Sequence, residues 1–199
     1  MVQKPHPNPP DSQACRLPRR VFLSSACAVS GLLVSEANLT VLQDGDPELD
    51  SLTPEDRIAL ALMHFKTGLH CSQSVFGAYS EDFGIESKLA RRLSAGLAGG
   101  STAGGECGAV GAAYLILGLR YGRDTAAHGD TRREEELWDR ISQFITEFKN
   151  RHGSLNCREL LGVDVFTKQG REEALQKSLF TSRCPNYIRD AILILESLA

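Results

Sequence analysis

The segment GGSTAGGECGAVGAAYLILGLRYG, Gly99 to Gly122, limits the fold more than any other part of the chain. Its apolar run, Gly108 to Leu119, is about a dozen residues, short of the ~20 needed to cross a bilayer. It reads as a helix buried in a protein core, so the other elements must surround it. Gly111, Gly118 and Gly122 fall on one stripe of that helix, where a second helix is expected to approach closely. The glycines before it do not form a phosphate loop. Such a loop ends in Gly-Lys-Ser or Gly-Lys-Thr, whereas Glu106-Cys107 stands here and its acid would repel an anion. A dinucleotide fingerprint is excluded as well, because helix rather than strand precedes the glycines.

The flanking sequence supplies the surrounding helices. Thr53-Pro54-Glu55-Asp56 carries a cap, a first-turn proline and an acid at the capping-box position, followed by Ile58, Leu62, Phe65 and Leu69 at helical spacing. A second helix starts near Cys71 and closes at Gly84. A third, Ile85 to Leu97, puts Leu89, Leu93 and Leu97 on one face. Thr131 opens a long amphipathic helix with Leu137, Ile141, Phe144, Ile145 and Phe148 on one side. Shorter helices are expected over Asn156–Leu161 and Gly170–Leu179, and Cys184-Pro185 is expected to open the last one. No strand pairing is visible. The reading is all-α: a compact single-domain bundle of seven or eight mostly short helices over residues 53–199, preceded by a disordered or signal N-terminus. A chain of 199 residues with 42% apolar content can bury a core of that size. A net charge of −3 argues against nucleic acid as a partner.

Residues 1–37 read differently. Arg19-Arg20-Val21-Phe22-Leu23 leads into a moderately apolar run that ends at Ser35-Glu36-Ala37, a small-x-small cleavage pattern. The arginine pair directly before the apolar run resembles a twin-arginine export signal. Residues 38–52 read as a linker. The expected location is periplasmic or otherwise exported, without stable membrane insertion after signal removal. Cleavage would remove Cys15 and Cys27 and leave Cys71, Cys107, Cys157 and Cys184.

Each of these four cysteines falls at or near an expected helix start. The first turn of a helix presents unpaired N–H groups and partial positive charge, which favour thiolate over thiol. Thiolates are also the form that binds iron or zinc. Flexible Gly105 and Gly108 would let the backbone approach such a centre. His70 adjoins Cys71 and is a candidate ligand or thiolate partner, although such a histidine is more often a helix-terminal surface residue. His152, at the end of the long helix, is placed where the dipole favours a cationic ring. Glu106 is a candidate cap or proton acceptor. Structural disulfides and buried core cysteines remain alternatives from spacing alone. The absence of C-x-x-C removes a thioredoxin-like dithiol and a short-spaced zinc or ferredoxin site. No hydrolytic constellation stands out, and whether the chain is an enzyme is left open.

The order of Cys71, GGECGAVGAA around Cys107, NCRELLG at Cys157 and RCPNYIRDAI at Cys184 resembles the C-GCAxxG-C-C family of redox-active proteins. The resemblance runs from about Glu55 to the C-terminus. The central motif here reads Glu106-Cys107-Gly108-Ala109-Val110-Gly111 where the family label implies Gly-Cys-Ala-x-x-Gly. The resemblance implies a redox-active or cluster-binding role, and similar modules occur in split-Soret cytochromes. It carries over to Cys71, Cys107, Cys157 and Cys184 as the metal-binding set, with Gly105 and Gly108 as backbone supports; His70 stands beside them as a candidate only through its place next to Cys71. Twin-arginine export, which moves folded passengers, agrees with a cofactor inserted beforehand. The expectation is an exported electron carrier with an iron–sulfur cluster or another thiolate-bound metal, a redox partner protein, and a homodimer left open. The alternatives are a thiol–disulfide protein without metal and a disulfide-stapled binding module.

Overall fold

Eight α-helices in chain order account for most of the described residues, with helical spacing rather than strand alternation among them. The structure, a computed structural model, describes residues 52–123 and 131–199. The expected signal at 1–37, with Cys15 and Cys27, and the linker apart from Leu52 lie outside the described residues. The described residues fall within one unit, and among them there is no strand, only an isolated antiparallel bridge between Glu106 and Asn156.

The helices are α1 (Pro54–Lys66), α2 (Cys71–Gly77), α3 (Ser87–Ala95), α4 (Gly108–Tyr121), α5 (Thr131–His152), α6 (Cys157–Leu161), α7 (Lys168–Gln176) and α8 (Leu179–Ser197). A 3₁₀ turn, Ser80–Phe83, follows α2 and is closed by left-handed Gly84. Thr53 caps α1 as its sequence demands: its hydroxyl accepts the Asp56 N–H at 3.2 Å.

α4 is the central element. Ala109, Val110, Ala112, Ala113, Ile116 and Leu117 are buried along it. α2 brings Val75 and Phe76 against this face, α5 adds Phe144 and Phe148, and α8 adds Ile188, Ile192, Ile194 and Leu195. No helix among the described residues is long and apolar enough to cross a membrane. The small residues of α4 let its neighbours pack close to its backbone.

Several local expectations change. The glycine stripe on α4 does not seat a helix along its length. A Cβ at Gly111 would meet only Leu97, Gly118 faces open space, and Gly122 lies past the helix end. α8 begins at Leu179, five residues before Cys184, so Pro185 lies inside the helix. Left-handed Ser178 ends the α7 segment, and its carbonyl then receives the Ser182 N–H at 3.0 Å as the new helix starts. Pro185 removes one backbone donor there, and the burial of Ile188, Ile192 and Leu195 outweighs that loss. Leu89 and Leu93 share a face of α3 as expected, but that face points outward, and Ala90 and Ser94 are the buried residues.

Candidate functional site

The site is built where three chain segments cross. The Gly-rich segment leaves α3 through a left-handed turn, with positive φ at Gly99, Gly100, Ser101, Thr102 and Gly104. A Cβ at Gly100 would stand 2.3 Å from the Gly105 carbonyl oxygen, so the turn closes this tightly only with glycine there. Arg158 fastens it from outside: its guanidinium donates to the Ala103 carbonyl at 2.9 Å and sits 3.6 Å from Asp164.

The chain then runs extended beside the segment that precedes α6. Cys107 N–H donates to the Leu155 carbonyl and Cys157 N–H donates to the Gly105 carbonyl, both at 2.7 Å. These two bonds place Cys107 beside Cys157, fifty residues on in the sequence. Gly105 thus serves as an acceptor that positions Cys157.

Gly108 sets the approach of α4 to α2. A Cβ on it would lie 2.8 Å from Cys71 Sγ and 3.0 Å from the Leu97 carbonyl oxygen. The family label has alanine at this position, and here Cys71 sulfur fills the methyl's space. The Cys107 thiol lies near enough to Cys71 to be the largest influence on its ionisation, with smaller ones from the backbone N–H groups of Ser72, Ala109 and Gly108. Cys157 and Cys184 stand close enough for charge on one sulfur to be felt at the others. All four thiols are free and buried, with exposures of 8%, 3%, 6% and 6% for Cys71, Cys107, Cys157 and Cys184.

The cysteines are not electrostatically equivalent. Cys71 is the first residue of α2, and the Cys107 S–H, with help from the amides, holds its pKa below the ordinary thiol value despite burial. Cys107, the N-cap of α4, is held well above that value because its S–H is favoured by donating toward Cys71, and because burial and the Cys71 charge both oppose its ionisation. Burial, reinforced by the charge of Cys71, pushes the Cys157 thiol up to about 12. Cys184 lies in the second turn of α8, away from the orphan amides, and burial raises it too. The expected acidification at four helix starts therefore holds for Cys71 alone. The five-residue α6 is too short for its dipole to offset desolvation at Cys157.

His70 is the N-cap of α2 and is exposed; its own N–H is satisfied by the Gln73 side chain at 3.1 Å. Among the described residues no hydrogen bond joins its ring to a thiol. Glu106 neither caps α4 nor faces the sulfurs: it is exposed and accepts the Tyr114 hydroxyl at 3.2 Å. His152 departs from the expectation of a cationic ring. Burial between Phe148 (4.6 Å) and Tyr187 (4.9 Å between ring centres) lowers its pKa, although Asp190 Oδ2 stands 2.9 Å from Nε2. Tyr187 was not singled out by sequence. It feels the charge of Cys107, Cys157 and Cys184, and its hydroxyl donates to the Leu160 carbonyl at 2.8 Å. Its placement one helical turn after Cys184 was the signal available for it.

Thiols in this number suit iron or zinc as a donor type. Among the described residues, however, no three Cys, His, Asp or Glu side chains are grouped as one metal ion would require. The arrangement does support chemistry between paired thiols: one sulfur is stabilised as thiolate, and its partner lies near it.

No curated protein and no solved structure matches the chain. A family model described as "Putative redox-active protein (C_GCAxxG_C_C)" matches residues 69–198, which takes in all four cysteines and every helix from α2 to α8. The chain belongs to the C_GCAxxG_C_C family of redox-active proteins.

Proposed function

We propose that the protein exchanges electrons through Cys71 and Cys107 as a thiol–disulfide pair. The observation that carries this reading is the proximity of those two buried thiols, each the strongest influence on the other, where Gly108 brings the start of α4 against Cys71 Sγ. In the forward step, Cys71 thiolate attacks one sulfur of a partner protein's disulfide, and a mixed disulfide forms as the partner's other sulfur leaves. Cys107, once deprotonated, attacks Cys71 Sγ and releases the partner's first sulfur. The Cys71–Cys107 bond forms, the partner's S–S bond becomes two thiols, and two electrons and two protons pass to the partner.

The test is oxidation of the folded protein with a disulfide reagent, followed by peptide mapping. The expected result is a Cys71–Cys107 bridge, lost in Cys71→Ser and Cys107→Ser and retained in Cys157→Ser. Bridges formed solely at Cys157 or Cys184 overturn the reading.

A second reading is an iron–sulfur cluster or another metal held by Cys71, Cys107, Cys157 and Cys184. It is favoured by the mutual influence of four buried sulfurs, since a cation would relieve the repulsion that opposes their ionisation. A polynuclear cluster also spreads its ligands over more space than a single ion does. Iron and acid-labile sulfide in anaerobically purified protein, lost on changing any one of the four cysteines, support this reading. Metal-free protein with four titratable thiols rejects it.

We further propose that residues 1–37 direct export, on the pattern Arg19-Arg20-Val21-Phe22-Leu23. Replacing both arginines by lysine is expected to retain the full-length chain in the cytoplasm; secretion unchanged by that replacement rejects the proposal.

A further inference from the structure

The outer face of α3 combines two features that the fold does not use. Leu89 and Leu93 are 46% and 56% exposed, one turn apart on that face. Lys88 and Arg92 are exposed beside them, and neither has a carboxylate partner among the described residues. A nine-residue helix whose polar residues were only a solvated surface would show apolar residues on its buried side. Here the buried side is Ala90 and Ser94, and the large apolar residues face out among cations.

The backbone behind this face is joined to the segment that carries Cys71. The Gln73 side-chain amide in α2, two residues after Cys71, donates to the Arg91 carbonyl at 3.0 Å. Leu97, two residues past the end of α3, holds its carbonyl against Gly108 at the point where Cys71 Sγ also approaches. Leu97 then lines a cleft of about 470 Å³ whose wall includes Gly105 and Glu106, immediately before Cys107. A protein seated on α3 therefore lies one layer of chain from the sulfurs.

We propose that α3 is the docking surface for an acidic redox partner protein, which places its own carboxylates against Lys88 and Arg92 and an apolar spot over Leu89 and Leu93. This rests on the thiol–disulfide reading above. Charge complementarity selects the occupant. An isologous contact with a second copy would oppose the two cations to themselves. A membrane surface is disfavoured because interfacial helices present a larger continuous apolar face than two leucines. Opposite charge on the partner raises the rate of encounter and is screened by salt, whereas the leucines act on the lifetime of the complex.

The probe is a reduced thioredoxin of net negative charge at neutral pH, used with the oxidised, folded protein at low and high ionic strength. The variant is Lys88→Glu/Arg92→Glu, confined to exposed positions, with folding checked by its thermal melt. Reduction by thioredoxin is expected to slow about tenfold or more at low salt in the variant, with the salt dependence lost. Reduction by dithiothreitol, which is uncharged, stays unchanged. Leu89→Ser/Leu93→Ser is expected to slow reduction at both ionic strengths.

Equal thioredoxin rates for variant and wild type overturn the docking proposal and leave the thiol reading standing. Charge-dependent binding of thioredoxin to a protein in which Cys71 and Cys107 never pair sinks the thiol reading instead and keeps the surface. Binding of wild type but not the variant to phosphatidylserine vesicles, without a thioredoxin effect, assigns α3 to a membrane and overturns the proposal. A dimer dissociated by the leucine changes assigns it to a second copy and does the same.

Discussion

Cys71 and Cys107 differ in charge preference because each is the strongest influence on the other's ionisation. The Cys107 S–H is the largest influence holding the Cys71 pKa down, ahead of burial and the surrounding amides. Cys107→Ala removes that donor, so the Cys71 pKa moves upward. Alkylation of Cys71 by iodoacetamide near neutral pH is expected to slow several-fold, with its pH profile displaced to higher pH. An unchanged profile would show that the amides of Ser72, Gly108 and Ala109 suffice alone. At His152, burial against Phe148 and Tyr187 outweighs the ion-pair pull of Asp190, and His64 is likewise lowered by burial first. Both rings are neutral in the folded state at neutral pH. Their stabilising effect is fully present above about 6.5, the ordinary histidine value. It is lost as the pH falls through the lowered folded-state values, because the unfolded chain then binds more protons. The Tm is expected to drop between pH 7 and 5, and His152→Gln to flatten part of that slope while His64 maintains the rest.

At the scale of elements, the N-terminus of α4 is fitted to that of α2 by the absence of one methyl group. Gly108→Ala would set its Cβ against Cys71 Sγ at 2.8 Å and the Leu97 carbonyl at 3.0 Å. The thiol can rotate away, but the carbonyl belongs to the backbone. A loss of about 1–3 kcal/mol is expected from overpacking, measured by urea unfolding. Displacement of Cys71 should also lower the yield of the Cys71–Cys107 bridge on oxidation. A substitution that left both stability and bridge yield unchanged would mean that α2 shifts freely, as relatives with alanine at this place would require. The elements themselves were legible to different degrees. Thr53 and Pro54 marked the start of α1 because a cap and a first-turn proline act within one turn. The same local rule misplaced the start of α8. Pro185 suits a first turn, yet the helix reaches back to Leu179 because its buried side chains secure it from outside.

Across the whole molecule, the first and last helices are tied by a buried cation. Arg57, 3% exposed, sits 2.9 Å from Asp82 and 3.3 Å from Glu196, and donates to the Ala78 carbonyl at 2.7 Å. Its guanidinium lies 4.2 Å from the centre of the Tyr79 ring, and the Tyr79 hydroxyl donates to Glu196 at 2.6 Å. Arg57→Met leaves Glu196 with Arg120 at 3.7 Å as its remaining cation. Breaking such a buried set from one side is expected to cost about 3–5 kcal/mol in urea unfolding. A loss below 1 kcal/mol would show the network to be replaceable by packing. Nothing in the spacing of Arg57, Asp82 and Glu196 announces this network, since its members come from distant parts of the chain. The sequence by itself determined the helical class, the buried α4 and the order of four cysteines, because periodicity, capping and apolar run length act over a few neighbouring residues. Only the tertiary structure decided which cysteine is acidic, that α3 turns its leucines outward, and that Gly105 holds Cys157 beside Cys107. Those outcomes depend on desolvation and on contacts between segments far apart in the chain, which no local pattern encodes.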